Sequence, residues 1–230
     1  MKYQTETAKQ FDYVGVRFAD LQLLRYRLNG FEQLSLSQKT LLYYLSEATL
    51  YGRDITFDQF GKYNLRIRKM LEAVYTDLTV DHQTPDFQAL EVYLKRVWFS
   101  NGIYHHYGCE KFKPEFSEDY LRGVLFQVDA CRLPLRSGET VSQLCDELFP
   151  IIFDPEVMPK RVNKEDGADL VTTSACNFYD GVTQQEAEDF YASQKASDNQ
   201  NPAPLSYGLN STLVKRDGKV QEEVWSAKGR

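Results

Sequence analysis

The chain has 230 residues, of which 42% are hydrophobic and 26% are charged, and its formal net charge is −6. This composition is that of a folded globular protein, and it excludes disordered, collagen-like and membrane-embedded classes. The mild acidity argues against a nucleic-acid partner, which a basic surface would attract. The high content of Tyr and Phe instead suits broad amphipathic surfaces such as protein interfaces and peptide grooves.

The N-terminal sequence, the length of the apolar stretches and the cysteine spacing restrict the possible cellular compartment and the possible roles of the thiols. No stretch reaches the ~20 apolar residues that a membrane helix needs, so we expect no membrane span. Residues 1–11 are polar and lack the apolar region of a signal peptide, which predicts a cytoplasmic protein or an exported one whose leader is absent from this sequence. The four cysteines are widely spaced, which favours free thiols over a zinc ribbon or a disulfide scaffold. They are Cys109, Cys131, Cys145 and Cys176.

Helices are predicted for most of the first two thirds of the chain. Apolar spacing predicts a helix over 11–27 that ends at Asn29-Gly30. Ser35 is the expected N-cap of the next helix, with Lys39 where a capping box would place Glu. Pro directly after Thr84 is a strong start signal. The predicted helices cover residues 11–27, 36–51, 64–75, 86–99, 118–126, 141–149 and 184–194.

The last third of the chain adds strands. Residues 169–176 are rich in β-formers and predict a strand, and Asp217-Gly218 predicts a hairpin between strands at 209–214 and 220–225. The expected fold is α+β, a mainly helical body followed by a β element. We divide it into a mainly helical region, 1–165, and a mixed segment, 166–230. A lone hairpin is marginal in water, so we expect the second segment to be incomplete without downstream chain.

The adjacent histidines His105 and His106 are the most obvious candidates for a metal site. Neighbouring side chains on a helix or a strand do not share one face, and the sequence contains no H-E-x-x-H pair. We therefore expect no metal here. Two other interpretations stay open, a polar loop that hydrogen-bonds its own neighbours and a loop that lines a binding cleft.

An aromatic segment surrounds these histidines. Trp98 and Phe99 fit the apolar end of a helix and are expected in the core, whereas His106 and Tyr107 lie beyond it on irregular backbone, where functional side chains are common. Cys109 follows closely and leaves a Cys-His nucleophile open, although such pairs are usually distant in sequence.

Five segments carry a family resemblance. The sequence Y-L-K-R-V-W-F-S-N-G-I-Y-H-H-Y-G-C-E-K-F-K-P-E-F at 93–116 resembles the dipeptidyl peptidase III family, particularly its bacterial members. Four further matches occur in the order that the family has, and the resemblance extends over nearly the whole chain from about Phe18 onward. They are F-A-D-L-Q-L-L-R-Y at 18–26, G-R-D-I-T-F-D-Q-F-G-K-Y-N-L-R-I-R-K at 52–69, T-T-S-A-C-N-F-Y-D-G-V-T at 172–183 and S-Y-G-L-N-S-T-L-V-K at 206–215.

The resemblance implies a two-lobed zinc exopeptidase that releases dipeptides from the N-terminus of oligopeptides. In the family the peptide lies extended against a strand edge, and zinc is held by H-E-x-x-G-H and by a Glu of E-E-x-R-A-E/D. Neither motif occurs in this chain, and in the family both lie downstream of the segment matched at 206–215. The chain is therefore expected to be the N-terminal portion of such an enzyme, part of its zinc-free lobe. Alone it should bind no zinc and hydrolyse nothing, and its partner is the zinc lobe of the same polypeptide.

The resemblance assigns two substrate-binding residues and no catalytic or metal-binding residue to this chain. Tyr107 aligns with an aromatic residue that borders the pocket for the first residues of the substrate, and His106 aligns with its polar neighbour. Cys176 and Asn177 lie in a matched motif without an assigned role. Two alternatives remain, a noncatalytic peptide-binding or scaffold protein that lacks the zinc lobe and a thiol hydrolase built on Cys109 or Cys176.

Overall fold

The computed structural model describes residues 11–197, 208 and 210–225. It confirms the predicted α+β fold, in which a mainly helical body precedes a β element. The chain divides into two compact units, Met1–Gly52 and Arg53–Arg230. The boundary predicted after residue 165 falls within the second unit and stays a prediction. In the described part of the chain, no helix has both the length and the apolar character needed to cross a membrane.

The first unit begins with a β-hairpin, so the helix predicted over 11–27 is wrong. Strand β1 (Val14–Phe18) pairs antiparallel with β2 (Leu21–Leu24). The side chains of Val14, Val16 and Phe18 alternate along the chain, which is the period of a strand and not of a helix. Ala19 takes a left-handed conformation, with φ 48°, and so reverses the chain between the two strands.

Helix α1 (Leu36–Tyr51) completes the first unit. Ser35 caps it as predicted, but the reciprocal partner in the capping box is Gln38 and not Lys39. The Lys39 amine instead donates to the carbonyl oxygen of Glu32 at 3.0 Å. Gly52 is the C-cap of the helix.

The second unit contains the helical body. The start signal predicted at Thr84 is confirmed, because its side chain caps a helix. At another helix, Thr140 forms a capping box with Gln143, the signature that these two residues also indicate in the sequence. The sequence patterns did not predict the first helix of this unit, at Arg53–Phe60. The helices are α2 (Arg53–Phe60), α3 (Asn64–Tyr75), α4 (Pro85–Ser100), α5 (Glu118–Leu125), α6 (Val141–Phe153) and α7 (Gln184–Ser197).

The main core lies among α3, α4, α5 and α6. Fully burying one aliphatic side chain contributes about 1.5–3 kcal/mol, so this cluster is the main source of stability in the body. Trp98 and Phe99 do not belong to it, contrary to expectation, because they keep 37% and 39% of their surface exposed. The least exposed members of the core are Ile67, Met70, Leu71, Val74, Leu90, Leu94, Val97, Leu121, Leu125, Leu144, Cys145 and Leu148.

The β element is a three-stranded sheet with the order β3-β4-β5. The predicted hairpin is confirmed as β4 (Ser211–Arg216) and β5 (Lys219–Val224), and its two turn residues both have positive φ, as a type I′ turn requires. Residue 209, the predicted start of the first strand, lies outside the described residues. Strand β3 (Tyr179–Asp180) pairs parallel with β4 and so gives the hairpin a third strand.

The strand predicted over 169–176 is wrong, because its polar side chains bind the local backbone. The carboxylate of Asp169 accepts hydrogen bonds from the backbone N–H groups of Val171 and Thr172 at 3.0 and 2.9 Å. The hydroxyl of Ser174 donates to the Leu170 carbonyl. Such bonds offer the backbone an alternative to a strand ladder, and here they hold a turn.

Asp169 also joins this turn to the start of α7. Its second carboxylate oxygen accepts the N–H of Gln184, the first residue of that helix, at 3.0 Å. A negative charge is stabilised at a helix N-terminus. Hydrogen bonds from the N–H groups of Thr172 and Gln184 hold the pKa of Asp169 below its ordinary value of 3.8.

We predict that Asp169→Asn weakens the acid sensitivity of the fold. A carboxylate whose pKa is lowered by folding contributes stability above its unfolded pKa, and this contribution is lost as the pH falls through the folded value. Urea unfolding followed from neutral pH to below about pH 4 should therefore show a shallower loss of stability in the variant than in the wild type. The control is Asp166→Asn at a neighbouring exposed carboxylate, which should reproduce the wild-type profile. Identical profiles for wild type and Asp169→Asn would refute the prediction.

Candidate functional site

The candidate site is the loop that follows α4. Asn101 ends the helix in the left-handed conformation, with φ 55°. Gly102 follows with φ 150°. The sequence predicts a glycine C-cap here, and the structure gives the capping role to Asn101 while Gly102 turns the chain towards the loop.

The buried Asn64 at the start of α3 fixes this turn. Its Oδ1 accepts the backbone N–H of Ile103 at 3.3 Å. A Cβ atom added to Gly102 would lie 2.3 Å from Asn64 Nδ2, and one added to Gly61 would lie 2.8 Å from the same atom. Both backbones can approach the amide this closely only because they carry no side chain.

The loop itself is a short, hydrogen-bonded hairpin. The N–H of Phe112 donates to the carbonyl of Ile103 at 2.8 Å, and the N–H of His105 donates to Glu110 at 2.7 Å. At the tip, the N–H of Cys109 donates back to His105 at 3.0 Å. The tip therefore has a defined backbone.

Two neighbouring segments extend this ladder. Glu110 forms an antiparallel bridge with Lys160, and the N–H of Arg161 donates to the carbonyl of Cys109 at 2.9 Å. The N–H of Cys176 in turn donates to the carbonyl of Arg161 at 3.1 Å. The segment at Arg161 is thus hydrogen-bonded to both of the segments that carry these cysteines.

The side chain of Arg161 also supports the tip. Its guanidinium lies over the ring of Phe60, 4.2 Å from the centroid, a cation–π contact. The same group donates to the carbonyl of His106 at 3.1 Å. The loop tip is thereby connected to the end of α2.

Lys111 connects the loop to α6. Its amine donates to the carbonyl of Ile151 at 3.0 Å and to the carbonyls of Asp154 and Val157. These carbonyls lie in and beyond the last turn of the helix, where a cation is favourable. Partial burial lowers the pKa of Lys111, while the carboxylates of Asp154 and Glu156 act in the opposite direction.

His105 has a structural role at the tip. Its Nδ1 lies 3.3 Å from the backbone nitrogen of Tyr107 and 3.0 Å from that of Gly108, so it accepts hydrogen bonds from both N–H groups. An Nδ1 that accepts carries no proton, which assigns the proton of the neutral ring to Nε2. This matches the interpretation of a loop that hydrogen-bonds its own neighbours.

The structure brings the two predicted substrate-binding residues into contact. The rings of His106 and Tyr107 lie 4.4 Å apart, and the His106 ring also meets the edge of Phe99 at 5.0 Å. His106 is half-buried, whereas Tyr107 exposes 85% of its surface. Their role in binding stays a prediction.

Two thiols lie close to the loop, a buried one at Cys109 and a half-buried one at Cys176. The Sγ of Cys109, a buried residue, lies 3.6 Å from the Tyr107 carbonyl and 3.4 Å from the Arg161 guanidinium. Burial raises the pKa of the Cys176 thiol and so disfavours the thiolate that a nucleophile needs. The thiol-hydrolase alternative stays a prediction.

The family resemblance places the zinc ligands outside this chain. In residues 11–197, 208 and 210–225, no cluster of three or more His, Cys, Asp or Glu side chains could hold a metal ion.

Asn177, to which the sequence patterns assign no role, forms hydrogen bonds with two elements of the fold. Its N–H donates to the carbonyl of Gln59 at 2.9 Å, and its side-chain amide donates to Asp58 at 3.3 Å. Its own carbonyl accepts the Thr212 hydroxyl at 3.2 Å. It thus ties α2 to β4. The sequence patterns also did not predict the roles of Arg161 and Asn64. For Asn64, the only signal in the sequence was the pair of glycines at 61 and 102.

Comparison of the sequence with models of known protein families finds no match, and comparison with curated proteins finds none either. The resemblance to the dipeptidyl peptidase III family accordingly stays a prediction.

We predict that Gly102→Ala lowers the free energy of unfolding by about 1–3 kcal/mol, because it combines backbone strain with a clash against Asn64. The matched control is Gly123→Ala inside α5, where an added Cβ would meet no described atom within 4 Å. This control should gain about 0.5–1 kcal/mol, since Gly costs helix stability relative to Ala. Urea unfolding of both variants measures the difference. Equal effects at the two positions would contradict the role given to Asn64.

Proposed function

We propose that this chain is the N-terminal part of a zinc-dependent dipeptidyl peptidase and that it forms part of the cleft that binds the oligopeptide substrate. The observation that carries the proposal is the exposed Tyr107 at the tip of a loop whose backbone is held by hydrogen bonds. A large aromatic side chain presented to solvent on a fixed backbone is typical of a contact residue. The five matched sequence segments support the same assignment.

In this proposal the chain supplies binding and not hydrolysis. Tyr107 offers the first residues of the peptide an apolar ring with a polar tip. His106 packs against that ring. Arg161 holds the backbone beneath both side chains. The zinc lobe of the same polypeptide is the second partner and carries the metal.

The intact mass of the protein from its natural source tests the assignment. We expect a species much heavier than 26.7 kDa that releases dipeptides from dipeptidyl naphthylamides and loses this activity on addition of a chelator. The 230-residue chain alone should show no cleavage, and added zinc should leave its melting temperature unchanged, because it lacks the family's zinc motifs. A natural mass of 26.7 kDa without cleavage would contradict the enzyme assignment and favour the noncatalytic peptide-binding alternative.

We predict that Tyr107→Ala in the full-length enzyme raises KM about tenfold with little change in kcat. Loss of an aromatic contact made equally in the ground state and the transition state changes KM alone. The control is Phe126→Ala, which removes an exposed aromatic residue at the end of α5. Steady-state kinetics with a dipeptidyl naphthylamide measures both variants. An unchanged KM for Tyr107→Ala, or an equal rise for Phe126→Ala, would remove Tyr107 from the site.

A further inference from the structure

A cavity of about 250 Å³ lies where residues 110–114 pass the end of α6. Its walls come from this segment and from residues 152–159, so every lining residue belongs to the second unit. Tyr107 does not line the cavity, which separates it from the proposed peptide contact. The volume is just below the ~300–1,000 Å³ of pockets for drug-sized ligands, which limits an occupant to about the size of one amino acid.

Hydrogen bonds hold the two walls of the cavity together. The backbone N–H of Lys111 donates to the carbonyl of Pro159 at 3.1 Å. The Lys111 amine donates to the carbonyl of Ile151 at 3.0 Å and to the carbonyls of Asp154 and Val157. An ammonium has three donors, so these three bonds leave none of them for a ligand. The cavity is therefore shaped by the folded chain, and Lys111 braces it without taking part in recognition.

Two aromatic rings give the cavity an apolar interior. Phe112 and Phe153 line it, and both also pack against the main core. The guanidinium of Arg96 lies over the Phe112 ring, 5.4 Å from its centroid. The Phe153 ring makes an edge contact with Phe149, with the two centroids 5.5 Å apart. Both rings are thus held by their own contacts, and apolar walls fixed in this way suit an aliphatic or aromatic group.

The rim of the cavity carries two opposite charges. Glu110 and Lys113 line the cavity and are exposed. Among the residues that the structure describes, no side chain or backbone group bonds to the carboxylate of Glu110 or to the ammonium of Lys113. Glu110 accepts the N–H of His105 only through its backbone carbonyl. A ligand with one positive and one negative group would give both charges a partner.

We propose that this cavity binds a free apolar α-amino acid in its zwitterionic form. The side chain of the ligand lies between the rings of Phe112 and Phe153, its α-ammonium pairs with Glu110, and its α-carboxylate pairs with Lys113. A neutral apolar molecule would use neither charge, and a peptide of several residues would exceed the volume. The inference does not depend on the proposed peptide cleft, so its failure would leave that proposal unchanged.

Titration of the 230-residue chain with L-phenylalanine tests the site, with NMR spectra of the backbone N–H groups as the measurement. We expect chemical-shift changes concentrated in residues 110–114 and 152–159. A small ligand with two solvent-exposed charge pairs predicts weak binding, with a Kd of about 0.1–1 mM. N-acetyl-L-phenylalanine lacks the ammonium and L-phenylalaninamide lacks the carboxylate, so each should bind about threefold to tenfold more weakly than L-phenylalanine.

Two variants assign each charge of the ligand to its partner. Glu110→Gln should raise the Kd of L-phenylalanine about threefold to tenfold. It should not weaken N-acetyl-L-phenylalanine, which has no ammonium to lose a partner. Lys113→Gln should likewise weaken L-phenylalanine and should not weaken L-phenylalaninamide, which has no carboxylate. The matched control is Glu115→Gln, since this exposed carboxylate lies close in sequence and does not line the cavity.

Three results would each overturn the proposal. The first is the absence of shift changes in residues 110–114 and 152–159 at up to about 10 mM L-phenylalanine. The second is equal binding of all three ligands to the wild type, which would mean that the charges of the rim recognise nothing. The third is an equal loss of affinity in Glu115→Gln and Glu110→Gln, which would show a general effect of surface charge.

Discussion

The candidate site depends on one close packing arrangement, the contact of the Asn64 side-chain amide with two glycine backbones. The amide accepts the N–H of Ile103 while Gly61 and Gly102 lie against it. This contact joins the start of α3 to the end of α4, the two helices that supply much of the core. The loop after α4 therefore leaves the body at a fixed place and in a fixed direction, and every later contact of the loop builds on that start.

Beyond this turn, main-chain hydrogen bonds join segments of the chain that are far apart in sequence. Cys109, Arg161 and Cys176 lie on three adjacent segments, with Arg161 in the centre. The same arginine supports the loop tip and lies over Phe60 at the end of α2. Asn177 then connects α2 with β4. Irregular segments thus contribute to the joint between the helical body and the β element.

The sequence predicted those features that depend on neighbouring residues. The caps at Ser35, Thr84 and Thr140 are local hydrogen bonds, and each marks a helix where expected. The hairpin at 14–24 was missed because its apolar residues fit two periods. The turn at 169–176 was missed because side chain–backbone bonds outweighed β propensity. Contact between His106 and Tyr107 follows from adjacency, but their support by Arg161 joins residues far apart in sequence, which no local pattern indicates.

The hydrogen-bonded tip has a thermodynamic consequence for any molecule that contacts Tyr107. The entropy of ordering the backbone of 105–109 is already lost when the chain folds, because the tip is closed by its own hydrogen bonds and by Arg161. A ligand would have to immobilise only side-chain rotamers, at about 0.5–1.5 kcal/mol each, and not a mobile segment of chain. Association at this loop would therefore resemble the docking of two rigid surfaces, with little induced ordering of the protein.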